Sequence, residues 1–257
     1  MNPYSMLIAE RHRAIVRLLS ENSRITLADI EVRFGVSSAT ARRDASVLAA
    51  AGLVKRSHGG LLPADYPGLE PSFKAKASRQ ASTKARLART AAELLPQQGT
   101  VFVDAGTTCL EVGRLLIQRR DLRIYTNSIT LIALADESMA SLTCIGGEVR
   151  KVSLALTGAL AQVWMERLRF DAVVLSASGL DVNDGLFTTE IHEAAIKTEI
   201  LRRSSYRLLV ADSDKWSHTA TVHFAPWNAL SAVVTNRKLQ PDECRKLQAA
   251  GVAIHSP

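Results

Sequence analysis

Two short stretches of this sequence hold residue types at a spacing suited to binding phosphate or reading a base edge. The first is Ser37-Ser38-Ala39-Thr40-Ala41-Arg42-Arg43-Asp44. Hydroxyl side chains at a helix N-terminus can bond phosphate oxygens, where the helix dipole also favours an anion. Arginine has the fork geometry that contacts guanine O6 and N7 in a major groove. Asp44 is a poor neighbour for phosphate and is better suited to orienting a neighbouring arginine. An isolated Arg-Arg pair is ordinarily a solvated helix face. Here it follows two helical segments and precedes Lys55, Arg56 and His58, which are placed to reach an adjacent groove or backbone.

The second stretch is Asp104-Ala105-Gly106-Thr107-Thr108, between an apolar run and a helical pattern. Glycine lets backbone approach an anion, and the amides and hydroxyls that follow at a helix start supply donors. The stretch has no G-K-[ST] and no G-x-G-x-x-G, so it fits neither common nucleotide-binding loop. A small phosphorylated ligand suits it better. Thr126-Asn127-Ser128 and Gly146-Gly147 close the next two apolar runs, and Lys84, Lys197 and Lys215 are candidate cations. In a doubly wound sheet, such loops converge outside the carboxyl ends of the strands.

The elements that must position these residues differ between the two ends of the chain. Residues 6–50 have helical rhythm, with Ile8, Ile15, Leu18 and Leu19 on one face of a first helix. Thr26 is placed to cap a second helix running through Arg33, and Gly35 suits the turn that ends it. Ser37 or Ser38 caps a third helix reaching about Ala51, followed by a hairpin over residues 53–60. Three helices and a hairpin make a winged helix-turn-helix. Residues 61–72 carry Pro63, Pro67, Gly68 and Pro71 and read as connector. Beyond residue 79, apolar runs at 100–104, 122–126, 142–145, 171–175, 206–211, 230–235 and 252–255 alternate with helical stretches such as 108–119, 128–137, 159–167 and 189–203. That alternation predicts a doubly wound, mainly parallel α/β domain. The expected division is 1–60 DNA-binding domain, 61–78 linker and 79–257 α/β effector-binding and oligomerisation domain.

Composition narrows the class. The net charge is +7, and residues 1–60 hold nine Lys and Arg against five Asp and Glu. This places the positive charge where a polyanion would be met. No apolar run approaches the roughly 20 residues of a membrane span, and the start of the chain lacks the pattern of a signal peptide. A cytoplasmic protein with no membrane partner is expected. Cys109, Cys144 and Cys244 are odd in number and far apart, which indicates neither a disulfide framework nor a zinc site. No metal and no cofactor are expected.

The residues already quoted carry a resemblance. Phe34-Gly35-Val36-Ser37-Ser38-Ala39-Thr40-Ala41-Arg42-Arg43-Asp44, then Gly52-Leu53 and Arg56-Ser57-His58-Gly59-Gly60, resemble the recognition helix and wing of the DeoR family of bacterial transcriptional regulators. Ala41 and Ala45 stand where that pattern has larger aliphatics. Asp104 through Thr108, Thr126-Asn127-Ser128, Gly146-Gly147, Gly158, Lys197 and Asp212-Ser213-Asp214-Lys215-Trp216 are similar to the family's sensor domain in order and spacing. Thr83, the turn Ser176-Ala177-Ser178-Gly179 and Asn236 depart from it. The resemblance implies a sensor fold like that of ribose-5-phosphate isomerase and glucosamine-6-phosphate deaminase.

It also implies a repressor of a carbohydrate-metabolism operon, controlled by a phosphorylated sugar or related metabolite. Its partners would be a double-stranded DNA operator and that small effector. A homo-oligomer is expected, since paired recognition helices read repeated half-sites. The DNA-reading set is Ser37, Ser38, Thr40, Arg42, Arg43, Lys55, Arg56 and His58. The effector set is Asp104, Gly106, Thr107, Thr108, Thr126, Asn127, Ser128, Gly146, Gly147, Lys197 and Lys215. The alternative is a sugar-phosphate isomerase or deaminase with an accessory DNA-binding domain, using Asp181, Asp184, Glu190 or Glu193 for proton transfer. Acidic residues are mostly exposed, so surface positions are the better account of those four.

Overall fold

A computed structural model of the chain describes residues 6–22, 24–57, 59–63, 70–217 and 220–257. Two compact units divide it, residues 1–79 and 80–257.

The first unit is built on helices α1 (Ile8–Glu21), α2 (Leu27–Phe34) and α3 (Ser38–Ala50), with a final short α4 (Phe73–Ser78). Strands β1 (Ile25–Thr26), β2 (Val54–Ser57) and β3 (Gly60–Pro63) form an antiparallel sheet in the order β1-β3-β2. Thr26 caps α2 by accepting from the Asp29 amide at 3.1 Å, and Asp29 returns the bond to the Thr26 amide at 2.7 Å. Gly35 ends α2 at φ +61°, a left-handed turn that few side chains tolerate. Ile15, Leu19, Ile30, Ala41, Ala45, Leu48 and Leu61 fill the core. Ala41 and Ala45 therefore face inward, and their small size sets how closely α3 approaches its neighbours. Ile8 does not share the buried face of α1. It is exposed, and Arg11 takes the place in the row Arg11, Ile15, Leu19 at four-residue spacing.

The second unit begins with α5 (Ala81–Leu94), then β4 (Gly99–Val103), α6 (Thr107–Leu116), β5 (Leu122–Thr126), α7 (Ile129–Ile132) and β6 (Ser141–Cys144). A ribbon follows, made of β7 (Glu148–Arg150) and β8 (Ala155–Thr157), and leads into α8 (Ala159–Met165) and β9 (Phe170–Leu175). After β10 (Gly179–Asp181) and β11 (Gly185–Thr188) come α9 (Ile191–Arg202), β12 (Ser204–Ala211), β13 (Val222–Ala225), β14 (Ala232–Thr235), α10 (Pro241–Ala249) and β15 (Ala253–His255).

Seven strands form one sheet in the order β15-β14-β12-β9-β4-β5-β6, and every described pairing in it is parallel. Its central strands are apolar throughout, as burial on both faces requires: Val101, Phe102 and Val103 of β4 and Ala172 through Leu175 of β9 are all buried. From β4 the chain proceeds outward through β5 and β6, then returns to lay β9 on the other side of β4. The direction of winding therefore reverses between β4 and β9, and in sheets of this kind ligands collect outside the carboxyl ends of the strands at such a point. Two antiparallel additions, the β7–β8 ribbon and a β10-β11-β13 sheet, interrupt the alternation. The helix expected over 128–137 is only the single turn α7 and a short 3-10 turn, Ala135–Glu137.

Candidate functional site

On α3, Ser37 is the N-cap: its Oγ accepts from the Thr40 amide at 3.3 Å and lies 3.0 Å from Thr40 Oγ1. The helix turns Ala41, Asp44, Ala45 and Leu48 inward and leaves Ser38, Arg42 and Arg43 exposed. Asp44 does orient an arginine, but not the adjacent pair. It accepts from Arg11 Nε at 2.7 Å and Nη2 at 3.2 Å, and lies 2.9 Å from His12 Nε2. Burial works against charge on Asp44, yet Arg11 and His12 outweigh it and hold the carboxyl below its ordinary value. A two-pronged ion pair thus pins α3 to α1 and leaves Arg42 and Arg43 facing outward.

The wing residues are partly committed to intramolecular contacts. Arg56 donates to Ser46 Oγ at 3.3 Å, resting on the outer face of α3, and Lys55 Nζ donates to the Glu70 carbonyl at 3.0 Å. His58 lies outside the described residues.

In the second unit, Asp104 ends β4 and is buried beneath the loop that opens α6. Gly106 takes φ +154° and ψ +153°, a region open only to glycine, and a Cβ there would stand 2.5 Å from Ser176 Oγ. The loop needs glycine because the β4 and β9 ends approach so closely. Lys197 crosses from α9 to bond Asp104 Oδ2 and the Ser176 carbonyl, the latter at 2.9 Å. Ser176 in turn donates its amide to Asp104 at 3.3 Å. The Lys197 ammonium also sits 5.7 Å from the Phe224 ring centre. Burial would lower Lys197, but Asp104 and then Glu193 hold it above its ordinary value, so it stays charged. Burial raises Asp104, with Lys197 pulling the other way.

The Thr126-Asn127-Ser128 segment braces this loop from the β5 side. Thr126 Oγ1 donates to the Val103 carbonyl at 2.6 Å, and Asn127 Oδ1 accepts from the Ala105 amide at 2.7 Å. Ser128 caps α7 by accepting from the Leu131 amide at 3.2 Å. Gly146 and Gly147, at φ +73° and +121°, open the β7–β8 ribbon, which is tied back by Leu156 N to the Asn127 carbonyl at 2.8 Å. The structure thus brings Asp104, Gly106, Thr107, Thr108, Thr126, Asn127, Ser128 and Lys197 together around the end of β4. Lys215 lies on the short helix after β12, two strands along from β4 and at the same carboxyl end of the sheet. Lys84 is buried on α5.

Of the four carboxylates named for proton transfer, Glu193 alone is buried. Asp181 and Asp184 are exposed and Glu190 caps α9. Glu193 accepts from Ser153 Oγ at 2.5 Å, Thr188 Oγ1 at 3.2 Å and Arg150 Nη1 at 3.3 Å. Its one signal was the four-residue spacing to Lys197, which places both on one helix face. That spacing usually marks a solvated pair; here it marks the buried face.

Comparison with known proteins decides the family. A model described as "DeoR C terminal sensor domain" matches residues 79–237, and one described as "DeoR-like helix-turn-helix domain" matches residues 11–65. The chain belongs to the DeoR family. "HTH-type transcriptional regulator GlpR" of Haloferax volcanii is 34% identical over 97% of this chain and 98% of its own length. "Glycerol-3-phosphate regulon repressor" of Escherichia coli is 30% identical over 88% of this chain and 90% of its own, and "Transcriptional repressor AccR" of Agrobacterium fabrum 30% over 88% and 89%. Among solved structures, ribose 5-phosphate isomerase A from Methanocaldococcus jannaschii is 14% identical over 53% of this chain and 54% of its own, at a TM-score of 0.38. This DeoR-family protein is a DNA-binding transcriptional repressor with a C-terminal sensor domain. Among the described residues, no helix is long and apolar enough to cross a membrane, and no three His, Cys, Asp or Glu side chains gather as metal ligands.

Proposed function

We propose that this DeoR-family repressor is a cytoplasmic homo-oligomer. Its α3 enters the operator major groove with Ser37, Ser38, Thr40, Arg42 and Arg43, while Lys55, Arg56 and His58 of the wing meet the flanking backbone. A small phosphorylated polyol binds at the carboxyl end of β4, among Asp104, Gly106, Thr107, Thr108, Thr126, Asn127, Ser128, Gly146, Gly147, Lys197 and Lys215, and releases the DNA. The proposed division of the chain is 1–60, 61–78 and 79–257, with β3 carrying the first unit's fold on to Pro63.

One observation carries this reading: α3 buries Asp44 on Arg11 and His12 while Arg42 and Arg43 stay exposed beside a Ser37 cap. The helix is held as a rigid reading edge whose arginines are available. For the sensor, the winding of the sheet reverses between β4 and β9, beside a loop built on Gly106. Release follows only if the effector binds the DNA-competent and incompetent states with different affinity.

The test is fluorescence anisotropy of the full chain on DNA from upstream of its own gene, with a panel of phosphorylated sugars and polyols led by glycerol 3-phosphate. Specific binding, lost in Arg42→Ala and weakened by one member of the panel, supports the proposal. Binding indifferent to Arg42 and Arg43 rejects the reading edge. Light scattering that shows only monomer at micromolar concentration rejects the oligomer.

A further inference from the structure

We propose that Arg150 is a phosphate-contacting residue of the sensor, and that Glu193 is a built-in anion that occupies it until an effector arrives. The inference rests on the sensing role proposed above and adds a residue from outside the strand-end loops.

Arg150 ends β7, in the ribbon that starts at Gly146 and Gly147 beyond the carboxyl end of β6. Leu156 N to the Asn127 carbonyl at 2.8 Å and Ile129 N to the Leu154 carbonyl at 3.1 Å stitch that ribbon to the β5 loop. The ribbon therefore lies at the same end of the sheet as Gly106. On it, Arg150 and Ser153 converge with Thr188 of β11 on the Glu193 carboxylate. A guanidinium with two hydroxyls around one carboxylate is also a donor set for phosphate oxygens.

Charge balance selects Arg150 over Lys197. Two of the buried carboxylates, Asp104 and Glu193, are paired with Lys197 and Arg150. An arriving dianion gains either of these two cations only by displacing an internal carboxylate from it. The Lys197–Asp104 pair is almost closed to solvent, with side chains 7% and 1% exposed. The Arg150–Glu193 pair is more open, at 18% and 9%, and is joined at 3.3 Å. Of the two, Arg150 is thus the cation more open to an effector, and its fork suits a phosphate. The exchange also has a route inward. Glu193 and Lys197 sit one turn apart on α9, so freeing Glu193 from Arg150 returns its full charge to Lys197, which holds the β4 and β9 ends.

The test is calorimetric titration of the full chain with inorganic phosphate at constant ionic strength, repeated with glycerol 3-phosphate. Glu193→Gln, which keeps shape and removes the competing charge, should bind phosphate about tenfold tighter, and Arg150→Gln about tenfold more weakly. Arg150→Lys should fall between wild type and Arg150→Gln, because an ammonium keeps the charge and loses the fork. A purely structural pair would shift Glu193→Gln and Arg150→Gln in the same direction or leave both affinities unchanged, and either result overturns the proposal. If Glu193→Gln fails to fold, the ordering of wild type, Arg150→Lys and Arg150→Gln still decides it. Phosphate binding to neither wild type nor Glu193→Gln also overturns it, while operator binding by the same samples continues to test the repressor reading separately.

Discussion

Replacing Lys197 with Met should strand Asp104 as a buried carboxylate. In the native protein Asp104 is 1% exposed and has two supports, the Lys197 ammonium and the Ser176 amide at 3.3 Å. Removing the cation leaves only the long amide bond, and breaking a buried pair by deleting one partner typically costs about 3–5 kcal/mol. Asp104→Asn leaves the Lys197 charge with the Ser176 carbonyl and Glu193 nearby, so a smaller loss of about 2–3 kcal/mol is expected. The double variant Asp104→Asn/Lys197→Met contains no stranded charge and should cost less than the summed singles by at least about 1.5 kcal/mol, within the range for contacting pairs. The three tryptophans, Trp164, Trp216 and Trp227, all lie in residues 80–257, so urea unfolding followed by their emission reports on the sensor unit alone. Thermal midpoints should move with it, by about 2–4 °C per kcal/mol for a unit of this size. If the two single effects add within about 0.5 kcal/mol in the double variant, the groups are uncoupled and the ion pair at the end of β4 is not what holds that loop.

Three further outcomes follow from the structure. Gly106→Ala should destabilise the sensor unit by about 1–3 kcal/mol, because only glycine occupies that backbone region without strain; unfolding followed by tryptophan emission measures it, and an unchanged midpoint would refute the strain. The Asp44 carboxyl is held below its ordinary value near 3.8, so its contribution to stability is present above that value and lost as pH falls through the lower folded value. The stability gap between wild type and Asp44→Asn, followed by circular dichroism of the helices, should therefore be flat near neutrality and close only in acid; a gap that closes already near neutrality would refute the carboxylate as its source. Arg42→Ala and Arg43→Ala should each weaken operator binding, and any arginine bound to a phosphate should also lower the slope of log affinity against log salt by about 1; variants matching wild type in both affinity and slope would remove these side chains from the interface.

The sequence alone determined the parts that depend on local pattern. Capping residues and glycine at Thr26, Gly35 and Ser37 set the helix-turn-helix, because those positions act through backbone groups a few residues away. Continuous apolar runs separated by helical stretches set the parallel sheet, because burial on both faces leaves no polar alternation. The Gly106 loop was legible for the same local reason. What only the tertiary structure decided were the pairings between groups distant in the chain. Asp44 could be read as orienting an arginine, but not as orienting Arg11, 33 residues away in another helix. The sequence offers Lys197 only as a candidate cation for phosphate. Instead it is buried on Asp104, 93 residues away, because α9 packs across the strand ends. Glu193 looked exposed and is enclosed, because the β7–β8 ribbon brings Arg150 and Ser153 over it. A charge can be buried only where the fold supplies its partner, and no local pattern records where that partner will be.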